Sequence, residues 1–366
     1  MKILHIITDT NIGGAGTHLL ALVDFADRDF FNIEVALPAD SKLMAELETR
    51  NVPYTAFSSI ADRSFSFAAV HDLTHFILKK KPDIVHTHAS FSGRIAAWIC
   101  RRKVVHTRHS VFEPPPVTTR FPIKQIMGTL NNIFSSKIIA VSPAAAENLI
   151  KQGTDSKKIT MIYNGVPQIK TSTDEEKAAI RKQYGVPYGA FVVLHMARLE
   201  DIKGQNYTLD AAKILIGDPN IFIIIAGGGT AEAALKKRIA DENITNVSMA
   251  GFVRKVDELL NITDLQINAS YGTEATSLSL IEGMSIGVPA AVSDFGGNPY
   301  VVTDEKNGLI FPQKNSAALA EAIMKIKNDN ELRKRLSDGA REEYNKRFKA
   351  EDMVKKTEEI YRGLKQ

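Results

Sequence analysis

Short apolar runs alternate with amphipathic stretches along the whole chain. Ile3 to Thr8, Asn32 to Leu37, Asp83 to His88, Lys103 to His109, Lys137 to Ser142 and Ile159 to Val166 read as buried strands. Between the first two lies Asn11-Ile12-Gly13-Gly14-Ala15-Gly16, followed by a helix carrying Leu19, Leu20, Leu22 and Val23. The alternation then stops at Thr171-Ser172-Thr173-Asp174-Glu175-Glu176, a polar, capping-prone stretch, and a domain boundary is expected between Pro167 and Thr173. It resumes with strands at Ala190 to Met196, Ile221 to Ala226, Val247 to Val253 and Asp264 to Asn268. From Ser316 onward the pattern is helical, with Leu319, Ile323 and Ile326, then Tyr344, Phe348, Met353 and Ile360 among many charges. The predicted class is α/β in two halves, each built of strand-loop-helix units.

Composition narrows this picture. At 366 residues the chain exceeds the size at which one core keeps growing, so two domains are the default. Charged residues at 24% and hydrophobic residues at 44% describe a soluble globular protein. Cys100 is the only cysteine, which excludes an intrachain disulfide or a cysteine-based metal cluster and suggests a reducing compartment. The apolar start, Met1 to Ile7, is too short for a signal peptide, and no apolar run approaches a membrane span, so a cytoplasmic location is expected. Net charge is only +4, yet Lys79-Lys80-Lys81 and Arg101-Arg102-Lys103 form basic clusters. They suit an anionic membrane surface or an acidic substrate, and equally the solvated ends of helices. Aromatic and basic residues do not interleave, and no nucleic-acid partner is expected.

Candidate chemistry concentrates after the strand ending at Asn268. Ser270 to Thr273 reads as a loop and Thr276 as the cap of a helix running to about Ile286. Glu274 then lies before the helix and Glu282 six residues past the cap, roughly 9 Å along the axis. Two-oxygen acceptors suit vicinal hydroxyls, a ribose at Glu282 and a hexose at Glu274, with the N–H groups of Thr276, Ser277 and Leu278 free for a phosphate between them. Both acids also fit a solvated helix surface. Arg198 and Lys203 flank one turn after an earlier strand, where two cations can neutralise a diphosphate. Gly13 and Gly14 sit in a loop that lets a phosphate or sugar approach, or simply make a tight turn. That loop is not GxGxxG, and Glu34 lies inside the next strand, which argues against a dinucleotide. The histidines of Val85-His86-Thr87-His88 and His106-Thr107-Arg108-His109 invite a metal, but no acid completes a ligand set and Asp27-Arg28-Asp29 stands apart from the motifs. No metal is expected. His71 and His75 lack the glutamate of HExxH and read as ordinary helix residues. Glu113-Pro114-Pro115-Pro116 must be extended loop. Phe121 to Phe134 carries Ile123, Ile126, Met127, Leu130 and Ile133 at helical spacing. It is expected to pack on the sheet, with insertion into a membrane, helped by Lys124 and Lys137, as the second reading.

Taken in order, Gly13-Gly14, Asn164-Gly165-Val166, Arg198-Leu199 with Lys203-Gly204, Gly251-Phe252-Val253, and Glu274 eight positions before Glu282 resemble the motifs of retaining glycosyltransferases of family 4. The resemblance spans nearly the whole chain. It implies the GT-B architecture, two Rossmann-like domains with parallel sheets facing across a cleft that closes on the donor. Residues 1–168 would form the acceptor-side domain, with a last helix at about 350–366 packing back on it, and residues 169–349 the nucleotide-sugar domain. It further implies that Arg198 and Lys203 grip the donor diphosphate, Glu282 the ribose and Glu274 the donor sugar. Gly13 and Gly14 would approach the phosphates, His109 the reacting sugar, and Phe252 and Val253 the base, while Asn164 and Gly165 join the donor-binding set. The implied reaction is metal-independent and needs no cofactor. It moves a sugar from a nucleotide diphosphate, UDP favoured, to a hydroxyl on a glycan or lipid-linked acceptor, with retention of configuration. This would take place in the cytoplasm or against the inner face of the membrane. Ala275 and Gly283 depart from the family's usual glycine and alanine after the two acids. A nucleotide-sugar epimerase of the same fold and a catalytically silent nucleotide-sugar-binding subunit are the alternatives.

Overall fold

The structure, a computed structural model, describes residues 1–61, 63–111 and 120–365. The proline loop at 113–116 lies outside the described residues. The chain divides into two compact units, one comprising Met1–Val166 and Ala350–Gln366, the other Pro167–Lys349.

In the first unit the strands are β1 (Lys2–Ile7), β2 (Asn32–Pro38), β3 (Tyr54–Phe57), β4 (Ile84–His88), β5 (Lys103–Arg108), β6 (Lys137–Ala140) and β7 (Ile159–Met161). They form one sheet in the order β3-β2-β1-β4-β5-β6-β7, every pair parallel. Strands buried on both faces explain the near-continuous apolar runs. The helix Ala350–Lys365 places Met353, Val354 and Tyr361 in this unit's core beside Ile3, Leu19 and Phe31. Glu358 Oε1 accepts the Asp27 N–H at 2.8 Å.

The second unit repeats the plan with β8 (Phe191–Met196), β9 (Ile221–Ala226), β10 (Val247–Gly251), β11 (Leu265–Asn268), β12 (Ala290–Ser293) and β13 (Gly308–Phe311), ordered β10-β9-β8-β11-β12-β13 and again parallel. It opens on a helix whose capping box, Thr173 with Glu176, matches the polar stretch of the sequence. In each sheet the strand order reverses once, between β1 and β4 and between β8 and β11. Crevices outside the carboxyl ends of the strands at such switch points are where ligands bind in open α/β sheets. The loops after β1, β8 and β11 carry Gly13, Lys203 and Glu274, and His88 is the last residue of β4.

Four expectations are corrected. The helix after β11 spans Leu278–Ser285, capped by the backbone of Ser277 rather than by Thr276, so its free N–H groups begin at Leu278. β7 stops at Met161 and β10 at Gly251, which leaves Asn164-Gly165-Val166 and Phe252-Val253 in the loops beyond. The helix Ile123–Ile133 turns its apolar side outward: Phe121 is 81% exposed, and Ile126, Met127 and Ile133 are exposed with it. Its inward face is Gly128, backed so closely by Gly153 that no side chain fits, and Asn131, which bonds Arg94 (2.9 Å) and Thr154 (3.1 Å).

Candidate active site

In the second unit a buried ion pair sits at the switch point. Lys203 Nζ donates to Glu274 Oε2 at 3.0 Å and to the Thr273 carbonyl at 2.8 Å. The two side chains are only 12% and 9% exposed. The same Glu274 oxygen accepts from Asn268 Nδ2 and Ser270 Oγ, both at 3.1 Å. Three donors on one oxygen fix the carboxylate, and the Gly297 N–H anchors its backbone carbonyl at 2.9 Å. A buried pair is affordable only where extra hydrogen bonds complete it, as Asn268 and Ser270 do here.

Arg198 shares the loop of Lys203 but not its partner. It faces solvent at 65% exposure and pairs with Glu200 at 3.1 Å, while its carbonyl accepts from the buried Gln205 side chain at 2.7 Å. Glu282 lies on the helix after the loop. It is half-buried, no side chain among the described residues pairs with its carboxylate, and burial pushes its pKa up to about 7. Behind it, a Cβ on Gly283 would overlap Gln266 Oε1, whose amide is buried and donates to the Ser279 carbonyl at 2.7 Å. That contact explains glycine where the family usually has alanine. Thr276 and Ser277 are buried at the helix entrance, with Ser277 Oγ 3.1 Å from Ser279 Oγ. Phe252 is exposed past β10, next to Gly228, whereas Val253 packs against the unit's core.

In the first unit Gly13 caps the helix Gly14–Phe25, and Gly14 is its first residue. One turn on, His18 is fully buried, its Nδ1 2.9 Å from Asn164 Oδ1. The Gly165 N–H points at Met353 Sδ, 3.2 Å away. The structure therefore ties Asn164 and Gly165 into the interior of the first unit. His109, just past β5, has Nε2 2.9 Å from His88 Nδ1, and His88 Nε2 is 3.0 Å from His5 Nδ1. His86 is held at both nitrogens, by Tyr361 Oη (2.5 Å) and Thr107 Oγ1 (2.7 Å). Burial keeps the whole set neutral, lowering His5 to about 3, His18 to about 4, and His86, His88, His106 and His109 well below the usual imidazole range. Two trios, His5-His86-His88 and His18-His88-His109, bring one nitrogen from each ring within 4.8 Å of one another. Neither includes a carboxylate.

Sequence reasoning did not single out His5, His18, Gln205, Asn268 or Ser270. The last two had a readable signal: polar residues at the end of a strand whose other positions are apolar, next to the acid they hold.

A family profile described as "Glycosyl transferases group 1" matches residues 176–343, and one described as "Glycosyltransferase Family 4" matches residues 12–168. The chain belongs to glycosyltransferase family 4. Among relatives of this family 4 member, N-acetyl-alpha-D-glucosaminyl L-malate synthase of Bacillus anthracis is 21% identical over 88% of this chain and 85% of its own length. The UDP-Gal:alpha-D-GlcNAc-diphosphoundecaprenol alpha-1,3-galactosyltransferase of Escherichia coli is 29% identical over 71% of this chain and 70% of its own. In fold, the glycosyltransferase resembles HepE of Anabaena, whose crystal structure holds UDP-glucose, with TM-score 0.86 and 24% identity over 99% of this chain and 100% of that one. The two parallel-sheet, Rossmann-like units are thus those of a GT-B glycosyltransferase.

Proposed function

We propose that the protein is a retaining transferase that takes a sugar from a nucleotide diphosphate, UDP favoured, and places it on the hydroxyl of a lipid-linked glycan acceptor. The observation that carries the reading is the Lys203–Glu274 pair with its Asn268 and Ser270 supports, set at the switch point of the second unit. A cation held on one side of a sugar-binding acid puts positive charge where the diphosphate departs. Arg198, exposed on the same loop, swings from Glu200 to the phosphates as a second cation. Glu282, a half-buried acceptor with no side-chain partner among the described residues, takes the ribose hydroxyls, and Phe252 covers the base.

In the reaction the bond from the anomeric carbon to the phosphate oxygen breaks, and its electrons stay on the diphosphate. The acceptor oxygen bonds to the same face of the sugar, and its proton passes to the departing phosphate oxygen. Lys203 and Arg198 lower the barrier by meeting the charge that accumulates only as the bond breaks. Two cations and a helix N-terminus supply this neutralisation from the chain itself, which supports turnover without a metal. The choice of UDP draws on HepE and on the Escherichia coli galactosyltransferase, whose acceptor is carried on diphosphoundecaprenol.

For such an acceptor the protein must work at a membrane surface. No helix among the described residues is long and apolar enough to cross one. The outward apolar face of Ile123–Ile133 does suit a peripheral contact. It continues through Phe134 to the exposed Trp98, whose ring centroid is 5.4 Å from that of Phe134. Arg101, Arg102 and Lys103 follow closely in sequence.

The test is release of UDP from a panel of UDP-sugars, with and without EDTA, by the wild type and by Lys203→Ala. Hydrolysis or transfer that survives EDTA and is lost in the variant is the expected result. Binding of donor without any turnover would leave a silent binding subunit, and interconversion of the sugar without acceptor would leave an epimerase.

A further inference from the structure

Three imidazoles form a line in the interior of the first unit. His109 Nε2, His88 Nδ1, His88 Nε2 and His5 Nδ1 are joined by separations of 2.9 and 3.0 Å, which are N–H···N distances. A neutral imidazole has one N–H and one lone pair, so every link requires a donor from one ring and an acceptor from the next. Such a line has only two proton arrangements. Changing the tautomer of one ring breaks a link unless all three change together.

The surroundings keep the line intact. His86 stacks on His88 at 4.4 Å between centroids, but both its nitrogens are engaged by Tyr361 and Thr107, so it cannot compete for the links. His18 meets His109 edge-on at 4.8 Å and is itself turned toward Asn164. Desolvation chiefly opposes protonation of each ring of the line, and the Arg108 charge adds to it at His109. At the outer end, His109 Nδ1 is buried and has no hydrogen-bond partner among the described residues. A buried polar atom left unpaired is costly, and a ligand hydroxyl placed there would pair it.

We propose that His88, backed by His5, is a positioning residue that ties the neutral tautomer of His109 to those of the other two rings and so decides whether its Nδ1 donates to the transferred sugar or accepts from it. This rests on the reading of His109 as a residue that touches the donor sugar. A cation among His18, His88 and His109 is the competing arrangement. It would set the ligating nitrogens roughly 3.3 Å apart around a tetrahedral zinc, wider than the observed link.

The experiment uses the full chain with ¹⁵N-labelled imidazoles and two-bond proton–nitrogen correlation between pH 6 and 8. In the wild type His109 is expected as one neutral tautomer across the range. His88→Phe keeps a ring in place and removes both links. His109 should then show nitrogen shifts averaged between tautomers, with kcat down about 10- to 100-fold at saturating donor and a smaller change in KM. His5→Phe cuts only the far link, should loosen His109 to a lesser degree, and serves if His88→Phe does not fold. A single unchanged tautomer of His109 in a folded variant overturns the proposal, as does stoichiometric uptake of Zn(II) that shifts His18, His88 and His109 together. If Lys203→Ala retains full transfer, the reading of the active site fails, while the tautomer measurement still decides the role of His88.

Discussion

Replacing Glu282 by Gln is expected to stabilise the protein at neutral pH while weakening its hold on the donor. In the unfolded chain this carboxyl titrates near 4.5, and in the folded protein burial raises it to about 7. Below pH 4.5 it is neutral in both states and costs nothing. As pH rises from there to 7, the unfolded chain ionises first and the folded state loses about 1.4 kcal/mol per pH unit, reaching about 3 kcal/mol above pH 7. Solvent at the exposed edge of the side chain reduces this to about 1–3 kcal/mol. Glu282→Gln removes the slope, because an amide does not ionise. Urea unfolding at pH 5 and pH 8 should show the variant gaining about 1–3 kcal/mol on the wild type between the two. The same change leaves one acceptor oxygen where two served the ribose, costing about 1.5–3 kcal/mol of donor binding, a 10- to 100-fold rise in Kd by calorimetry. A variant no more stable at pH 8 than at pH 5 relative to wild type would refute the burial argument, and an unchanged Kd would refute the ribose assignment.

Lys203→Ala leaves the Glu274 carboxylate buried without its cation, so it should cost about 3–5 kcal/mol in unfolding free energy as well as activity, and Glu274→Gln in the same background should recover part of the stability. Gly283→Ala should destabilise by about 1–3 kcal/mol despite the roughly 1 kcal/mol gain in helix propensity, because the new methyl displaces the Gln266 amide; in a Gln266→Ala background the same substitution should be neutral or favourable in thermal melts. Phe121→Asp and Met127→Asp should leave the melting temperature within error, since both side chains are exposed, yet reduce co-sedimentation with anionic vesicles. Vesicle binding equal to wild type would remove the membrane contact from the proposal.

The α/β class and the strand positions were legible because buried parallel strands write themselves as apolar runs, and Thr173 with Glu176 marked the opening of the second unit. Helix Ile123–Ile133 was misread for a physical reason: apolar spacing says that one face is special, not that it is buried. Only contact with Gly153 and Thr154 shows that the small and polar face points in. At the site, Lys203 and Glu274 were visible as charges on strand-end loops, but no spacing rule says that they pair, nor that Arg198 turns to Glu200 instead. His88 and His109 were visible singly, and His5 was not singled out. Their line was not visible, because it draws its members from β1, β4 and the end of β5, and adjacency across a sheet depends on strand order.

The helix Ala350–Lys365 makes the second unit an insertion within the first. The chain leaves the first unit after Val166 and returns at Ala350, whose N–H donates to the Val166 carbonyl at 3.2 Å, so departure and return are stitched at one point. During synthesis the first unit therefore waits for the helix Ala350–Lys365 to emerge before Met353, Val354 and Tyr361 can seal its interior and Tyr361 can reach His86. A truncation near residue 350, seemingly a trim of the tail, would strike the half of the protein made first.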